Sequence, residues 1–361
     1  MGEPVSRKPR LVGWGLTNRC NLSCPHCYSS STKASSEELS TEECFAILDS
    51  LAGMGTERIG WTGGEPLLRL DLESLIARGV ARGIQSGVTT NGIPMTPQRA
   101  ESLRKAGLKS VQISLDGSTS ARNARIRGAS ASDFDRVLRA IRLSQDAGFT
   151  VDMAMLVGRE TLDDVRDYLD LASRMGVAGV RFCGFVPWGN GRSDDARERL
   201  DLRGRLAELG ALIEDLQGRE SPVAMFDPGF GPLPPDYDYH DCIAGMEFLY
   251  IAPAGDVYPC TSLLGERFRV GNVRGRPIEA LWEDPTMTAV ALHPKERITG
   301  PCRECGMFER CHGGCRGITV AYTGDMDSSF PACIASAYPG AGARHSREDE
   351  TQDGSTLTDH S

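Results

Sequence analysis

The chain has 361 residues, of which 40% are hydrophobic and 25% are charged, and its formal net charge is −9. This length allows two domains with a sizeable core, and the composition is that of an ordinary globular protein. No apolar run of about 18 residues predicts a transmembrane helix, no signal-peptide core follows the basic N-terminus, and no basic stripe predicts nucleic-acid binding. We therefore expect a cytoplasmic protein that binds neither a membrane nor nucleic acid.

Short β-rich runs alternate with amphipathic stretches over the first two thirds of the chain. The pattern predicts strands at residues 11–16, 58–61, 86–90, 110–115, 150–156 and 179–186. It predicts helices at residues 40–54, 71–82, 97–106, 132–147, 162–175 and 195–217, several of which end at glycine. Six β-α units indicate a parallel sheet covered by helices. Periodicity alone does not distinguish a closed barrel, a partial barrel and a doubly wound sheet.

The composition changes in the last third of the chain. Residues 221–241 are rich in proline, which predicts a linker or a wrapping loop between a core at residues 10–220 and a cysteine-rich domain at residues 242–335. Residues 336–361 are polar and predict a disordered tail, and residues 1–9 predict a flexible N-terminus.

The twelve cysteines fall mainly into two groups at opposite ends of the chain. In a cytoplasmic protein this usage indicates metal binding rather than disulfides. The first group, Cys20, Cys24 and Cys27, follows the first predicted strand and is followed by the aromatic Tyr28. Three thiolates at this spacing can hold three irons of a cubane cluster and leave the fourth iron open to another ligand. A zinc loop, or a cluster of buried thiols, is the alternative.

This cysteine run resembles the signature of the radical S-adenosylmethionine (SAM) enzymes. Further similar motifs follow the next predicted strands: a Gly-Gly-Glu-Pro run, a Thr-Thr-Asn-Gly turn, a Ser-Leu-Asp-Gly segment and an Arg-Gly pair. The resemblance implies a partial (β/α)6 TIM-like barrel and a 4Fe–4S cluster that binds SAM. It assigns SAM contacts to Tyr28, Gly63, Gly64, Glu65, Thr90, Asn91, Ser114 and Arg127.

Three of these assignments have a simpler alternative. Ser114 is otherwise a strand-end serine and Tyr28 a core aromatic, while Gly63 to Pro66 is otherwise a turn before a helix. A planar guanidinium suits bidentate carboxylate binding, which favours Arg127 as a partner of the SAM carboxylate. In the family, reductive cleavage of SAM gives a 5′-deoxyadenosyl radical that abstracts hydrogen from an unactivated C–H bond.

The second cysteine group resembles the seven-cysteine pattern of SPASM domains, which carry two auxiliary 4Fe–4S clusters. The resemblance assigns an outer cluster to Cys302, Cys305, Cys311 and Cys333, and an inner cluster to Cys242, Cys260 and Cys315. The inner set has only three cysteines, so this cluster has either an open iron or a ligand that is not cysteine. A zinc ribbon is the alternative, because paired cysteine loops also serve zinc. Cys44 and Cys183 are interpreted as buried structural thiols.

Within SPASM enzymes, the chain resembles the mycofactocin precursor-peptide maturases and the haem d1 pathway enzymes. Thr261 follows Cys260 where sulfatase-maturating enzymes place an acidic residue, so sulfatase maturation is not expected. We expect modification of a ribosomally made peptide, or otherwise oxidation or decarboxylation of a sugar, nucleoside or tetrapyrrole. The expected partners are the substrate, an electron donor such as flavodoxin or ferredoxin, and a separate peptide-recognition protein.

Two further points remain open from the sequence. Phe185, Trp188 and Asn190 are candidates for the substrate cavity, and the alternative is a loop that closes the last barrel unit. A zinc-stabilised binding module and a cluster-bearing electron carrier are the hypotheses without SAM cleavage. Neither of them needs a SAM-binding cradle, so the Gly-Gly-Glu-Pro run and Arg127 favour the enzyme.

Overall fold

The computed structural model describes residues 7–33, 35, 37–216, 222–227, 230 and 242–334. The predicted tail and most of the predicted linker lie outside this part of the chain. Among the described residues, no helix is long and apolar enough to cross a bilayer.

Six parallel strands form the core of the sheet, and all six strands predicted from the sequence are confirmed. They pair in chain order. Their bounds are β1 (Leu11–Gly15), β2 (Arg58–Thr62), β3 (Gln85–Thr90), β4 (Ser110–Ser114), β5 (Thr150–Val157) and β6 (Gly179–Gly184).

Helices follow these strands and cover one face of the sheet. They are α1 (Thr41–Gly53), α2 (Leu72–Ala81), α3 (Pro97–Ala106), α4 (Ser120–Arg127), α5 (Ala131–Asp146), α6 (Val165–Met175), α7 (Asp194–Leu200) and α8 (Leu206–Asp215). α4 was not predicted, because it contains few apolar residues and its start depends on the Thr119 cap. The helix predicted at residues 195–217 is wrong as a single helix. It is interrupted after α7, where Asp201 binds the Arg203 side chain in a short 3-10 turn.

The sheet curls, as a partial barrel requires. Outer-face residues such as Trp14, Trp61 and Phe182 are fully buried under the helices. In a flat sheet, β1 and β6 would lie about 24 Å apart, since they are separated by five strand spacings. Yet the backbone N–H of Asn190, after β6, donates to the Cys27 carbonyl, after β1, at 2.9 Å. The loops at the carboxyl ends of the strands therefore meet across the barrel mouth.

The sheet continues beyond the six predicted strands at both edges. β7 (Val223–Phe226) pairs in parallel with β6, so this part of the predicted linker is a strand, which Phe226 anchors by stacking on Phe182. At the other edge, β8 (Phe248–Ile251) pairs in parallel with β1, and β9 (Asp256–Tyr258) and β10 (Gly271–Asn272) follow antiparallel. The cysteine-rich region is thus joined to the barrel through one ten-stranded sheet.

Glycine in β1 makes this junction feasible. A Cβ atom on Gly13 would lie 2.9 Å from the Phe248 ring, and one on Gly15 would lie 2.4 Å from the Tyr250 hydroxyl. The absence of side chains therefore lets the aromatic residues of β8 lie across β1. Four short helices complete the region: α9 (Ile278–Trp282), α10 (Pro285–Thr288), α11 (Phe308–Cys311) and α12 (Arg316–Thr323).

Candidate active site

The first three predicted cluster ligands lie on one loop at the carboxyl end of β1. Cys24 is buried, and Cys20 and Cys27 are half-buried. The Cys27 backbone N–H donates to the Cys24 carbonyl at 3.1 Å. Glu38 fixes the start of the loop, because its carboxylate accepts from the Thr17 hydroxyl at 3.0 Å and from the Asn18 backbone N–H at 2.8 Å.

The electrostatic surroundings of these thiols contain two opposing effects. Burial raises the pKa of the Cys20 and Cys24 thiols, as it does for any group whose charged form loses water. The Arg127 guanidinium acts in the opposite direction on both, and the Leu22 backbone N–H donates to the Cys20 sulfur at 3.5 Å. A positive charge and a donor thus stand beside the sulfurs that must be thiolates to bind metal.

Glu65 joins the ends of two neighbouring strands. Its side chain is fully buried, and burial raises its pKa. The carboxylate accepts from the Thr90 hydroxyl at 2.7 Å, from the Asn91 backbone N–H at 2.8 Å and from the Leu67 backbone N–H at 3.0 Å. Much of its acceptor capacity is therefore used within the protein, and it positions the turn after β3 directly.

The two glycines before Glu65 are required by the chain itself. A Cβ atom on Gly63 would lie 2.6 Å from the Thr17 carbonyl oxygen, and one on Gly64 would lie 2.4 Å from the Arg19 carbonyl oxygen. The Gly64 backbone N–H donates to Thr17 at 2.6 Å. This close approach holds the segment after β2 against the chain that leads into Cys20.

The turn after β3 reaches the cysteine loop through a pair of amides. The Asn91 side-chain amide donates to the Asn21 side-chain oxygen at 2.9 Å, and its nitrogen lies 3.9 Å from the Cys20 sulfur. Thr90 and Asn91 are both buried. The predicted residues from β2 and β3 thus form one connected network with the loop.

Asp116, after β4, was not predicted as a site residue although it directly follows Ser114 and Leu115. It is only 3% exposed, and it accepts from Arg127 Nη1 at 2.7 Å and from the Leu156 backbone N–H at 2.7 Å. His26 Nε2 lies 3.4 Å from the same carboxylate, and burial lowers the His26 pKa. The buried Arg127 Nε has no hydrogen-bond partner among the described residues, so this guanidinium retains a donor for a ligand.

The remaining two predicted contacts lie at the same edge of the sheet. Ser114 is the last residue of β4 and is half-buried. Burial raises the pKa of the Tyr28 phenol to about 12, and the Thr62 side chain is its hydrogen-bonding partner. Cys27, Cys260 and Cys183 are close enough to act on the same phenol. Tyr28 therefore lies between the first cysteine loop and the second cysteine group.

The loop after β6 contacts the first cysteine loop through Asn190, and its Trp188 lines a cavity, as the sequence predicted. The Asn190 side-chain amide donates to the Cys24 carbonyl at 3.2 Å. The Trp188 indole N–H donates to the Ser262 carbonyl at 2.8 Å, two residues from Cys260. Phe185 is buried in an apolar cluster with Ile126, Ala196 and Leu200. This loop therefore connects the two cysteine regions.

The structure separates the C-terminal cysteines into two neighbourhoods. Cys260 and Cys242 both act on the Cys315 thiol, whose pKa burial raises to about 12. Cys302 and Cys305 act on the Cys311 thiol, whose pKa is also raised by burial. Cys242, Cys260 and Cys315 thus lie near one another, as do Cys302, Cys305 and Cys311.

Backbone donors point at several of these sulfurs. Cys260 accepts from the Ser262 backbone N–H at 3.2 Å, Cys305 from that of Met307 at 3.4 Å, and Cys302 from that of Phe330 at 3.4 Å. Such bonds tune the potential of cluster thiolates.

The thiols do not form a compact ligand cage for a single ion. Among the described residues, no three cysteine, histidine or carboxylate side chains are grouped so that they could hold one metal ion. The fit to iron–sulfur clusters therefore rests on donor chemistry, on the shared neighbourhoods of the thiols and on the donors that surround them.

A cavity of about 480 Å³ opens between the first cysteine loop and the β8–β9 hairpin. Its lining includes Tyr28, Gly63, Trp188, Tyr250 and Tyr258. Its walls come from the barrel and from the cysteine-rich region, and they include Gly63 of the Gly-Gly-Glu run.

Comparisons with known proteins agree with this geometry. Residues 14–172 match the family model of the radical SAM superfamily, and residues 242–306 match the SPASM model, an iron–sulfur cluster-binding domain. The mycofactocin maturase MftC of Mycolicibacterium smegmatis is 32% identical over 334 residues, which cover 90% of this chain and 83% of MftC. An AdoMet-dependent heme synthase of Methanosarcina barkeri is 27% identical, covering 91% of this chain and 97% of the synthase.

Solved structures show the same fold. Streptococcus suis SuiB bound to S-adenosylmethionine has a TM-score of 0.69 with 17% identity, covering 90% of this chain and 76% of SuiB. The fold and the cofactor classes predicted from the sequence are thereby confirmed. The chain belongs to the radical SAM superfamily, with a C-terminal SPASM domain.

Proposed function

We propose that this enzyme uses SAM and a reduced 4Fe–4S cluster on Cys20, Cys24 and Cys27 to modify a ribosomally made peptide by hydrogen abstraction. The observation that carries the proposal is the convergence of the cysteine loop, the Glu65 network and the Asp116–Arg127 pair at one edge of the barrel. When bound, the cluster and SAM supply the one-electron cleavage that generates the 5′-deoxyadenosyl radical.

The residues of the chain have distinct roles in this proposal. Gly63 and Gly64 offer their backbone carbonyls to the SAM ammonium, since the Gly64 N–H and the Glu65 N–H are already bonded to Thr17 and Arg19. Arg127 and Ser114 bind the SAM carboxylate, with Asp116 holding the guanidinium from behind. Glu65, through Thr90 and Asn91, fixes the cradle.

The peptide is favoured over a small molecule as the substrate because MftC, a maturase by name, aligns over nearly the whole chain. The alternative is radical oxidation or decarboxylation of a sugar, nucleoside or tetrapyrrole, and the alignment to a heme synthase supports it. The cavity between Tyr28 and Tyr258 has room for a few residues of a peptide, and also for a small molecule.

Two auxiliary clusters complete the proposal. Cys302, Cys305, Cys311 and Cys333 hold the outer cluster, and Cys242, Cys260 and Cys315 hold the inner one. We infer that a flavodoxin or ferredoxin supplies electrons in the cytoplasm, and that a separate recognition protein delivers the peptide.

The test begins with iron, sulfide and zinc per chain after anaerobic reconstitution. About twelve irons are expected for three four-iron clusters. The Cys24→Ala variant should release no 5′-deoxyadenosine while it retains about eight irons. SAM cleavage that survives in this variant would contradict the assignment of the radical site.

The substrate is tested by mass spectrometry of candidate short peptides incubated with the reconstituted enzyme. A mass change that depends on SAM and on Cys24 supports the peptide. Unmodified peptides, together with turnover of a small molecule, would support the alternative.

A further inference from the structure

An arginine faces the inside of the barrel on its last predicted strand. Val180 and Phe182 on β6 are fully buried under the helices, so Arg181 between them points to the concave face. Its side chain remains 50% exposed although it lies inside the curled sheet. Its cross-strand neighbours are the small Ala154 on β5 and Met225 on β7, and the end of the Met225 side chain lies over Gly179.

Asp227 holds this guanidinium by one edge. Arg181 Nε donates to Asp227 Oδ1 at 2.7 Å, and the Asp227 backbone N–H donates to the Phe182 carbonyl at 3.0 Å. The Asp227 carboxylate raises the Arg181 pKa, and Cys183 is a second polar neighbour. A guanidinium has five N–H donors, so within the described residues these two partners leave donors unused.

The register places Arg181 level with the proposed SAM site. Arg181 pairs with Ala154, and Ala154 pairs with Ser114 on β4. Two strand spacings therefore separate the backbones of Arg181 and Ser114, which is about 10 Å. A group bound to Arg181 would lie inside the barrel beside SAM.

Asp152 is a further carboxyl group on this face of the sheet. It pairs with Gly179, below Arg181, and its carboxylate oxygen would lie 3.1 Å from a Cβ atom on Gly179. Burial raises the pKa of Asp152. Asp152 accordingly lies lower in the barrel and does not occupy the donors of Arg181.

We propose that Arg181, oriented by Asp227, binds a carboxylate of the substrate inside the barrel. The inference deepens the proposed function and rests on it. A planar fork with one edge fixed by an aspartate presents its remaining donors in the geometry that suits a carboxylate. The carboxylate is either the C-terminus of a peptide or a carboxylate on a side chain or small molecule.

Isothermal titration calorimetry of the full reconstituted chain, with and without SAM, tests the proposal. The main probes are N-acetylalanine and its uncharged amide, and the acid should bind at least about tenfold more tightly, as expected for charge-assisted hydrogen bonds. Arg181→Gln should remove this preference. Asp227→Asn should weaken it several-fold, because the guanidinium keeps its charge but loses its orientation.

Arg166→Gln is the matched control, since Arg166 is exposed on α6, outside the sheet, and pairs with Asp215 on α8. It should bind the acid as the wild type does. Iron content and circular dichroism establish that each variant is folded. The proposal would be overturned if the wild type bound neither N-acetylalanine nor a capped aspartate more tightly than the corresponding amide, or if the preference survived Arg181→Gln.

Further probes separate the sources of the anion. A doubly capped aspartate, which has only a side-chain carboxylate, distinguishes that group from a chain terminus. Binding of methyl phosphate without binding of either carboxylate would also overturn the proposal. SAM cleavage measured on the same samples tests the radical site, so a failure there is recognised independently of the acid–amide comparison.

Discussion

The two cysteine regions differ in what surrounds them. The loop of Cys20, Cys24 and Cys27 is held by buried side chains from the ends of several strands, with Glu65 and Asp116 as the central acceptors. The outer cysteines instead lie among turns and short helices, α11 having four residues and α12 eight. Three successive residues there, from His312 to Gly314, have positive φ.

This contrast predicts which of the two cysteine sites is already folded before its cofactor binds. Buried polar networks with satisfied partners fix a unique arrangement. The barrel edge therefore presents an ordered cradle to the first cluster. Short helices are marginal without packing, so we expect the outer region to depend on metal ligation for much of its stability. The predictions below test this difference in order of decreasing effect.

Gly189→Ala should have the largest effect, because it disrupts the contact between the loop after β6 and the first cysteine loop. Gly189 has φ of 55°, and a Cβ atom would lie 2.5 Å from the Tyr28 carbonyl oxygen and 2.6 Å from that of Cys27. Both obstacles are backbone, so the loop must move. SAM cleavage should fall by at least about tenfold, with loss of roughly four irons per chain.

Gly204→Ala is the control for this change, since its nearest obstacle is the Arg159 side chain at 3.7 Å. Iron content and release of 5′-deoxyadenosine are measured for both variants. If Gly189→Ala behaved like Gly204→Ala, the loop after β6 would not hold the cysteine loop.

Glu65→Ala should destabilise the protein even without a cluster. It leaves three donors, from Thr90, Asn91 and Leu67, without their acceptor in the core. Each buried unsatisfied group costs about 1–3 kcal/mol, so the free energy of unfolding of the apo-protein should fall by about 3 kcal/mol or more. Urea denaturation measures this change.

Glu101→Ala provides the comparison, because Glu101 is exposed on α3 and pairs with Arg104. Its effect should stay within about 0.5 kcal/mol. Equal effects of the two substitutions would show that the cradle is not formed in the apo-protein.

Asn190→Leu should have a smaller, kinetic effect. It keeps the approximate shape of the side chain but removes the donor to the Cys24 carbonyl. The loss of one hydrogen bond, about 1 kcal/mol, should speed the loss of the first cluster in air by roughly fivefold. The decay of the cluster absorbance measures this rate. An unchanged rate would remove Asn190 from the set of loop-holding residues.

The smallest effect concerns the ion pair between Arg274 in the cysteine-rich region and Glu43 on α1 of the barrel. Arg274 binds the Glu43 carboxylate at 2.8 Å, and with the Ser40 backbone it lowers the Glu43 pKa to about 2. A lowered carboxyl pKa adds stability above the unfolded value of 4.5, and this stability is lost as the pH falls towards 2.

Arg274→Gln should therefore destabilise the apo-protein at pH 6 more than at pH 3. Because the pair is exposed, the difference should stay within about 1 kcal/mol. Chemical denaturation at the two pH values measures it. If Arg274→Gln destabilised the protein equally at both pH values, the charge of the Arg274–Glu43 pair would contribute nothing to stability.

The sequence predicted the parts of the site that lie in short motifs at strand ends. Six strands were recognisable from their apolar runs, and the positions of Glu65, Asn91 and Arg127 followed from the motifs after them. The structure adds a structural role for Glu65, because its carboxylate accepts from Thr90 on another strand. Such long-range pairing leaves no local signal in the chain.

The same limit explains what the sequence analysis missed. α4 lacks an apolar stripe, and β7 is a four-residue strand inside a proline-rich stretch. Asp116 was visible beside Ser114, but its role depends on Leu156 and Arg127 from other elements. Asn190, a candidate for the substrate cavity, also donates to the first cysteine loop, a contact that the sequence did not predict.

Hydrogen exchange measured by mass spectrometry on the apo-protein and on the anaerobically reconstituted protein tests the central contrast most directly. The account predicts that β1 to β6 are protected in both forms, while residues 299–334 gain protection only on reconstitution. Protection of residues 299–334 in the apo-protein, or exchange of the barrel strands without clusters, would contradict it.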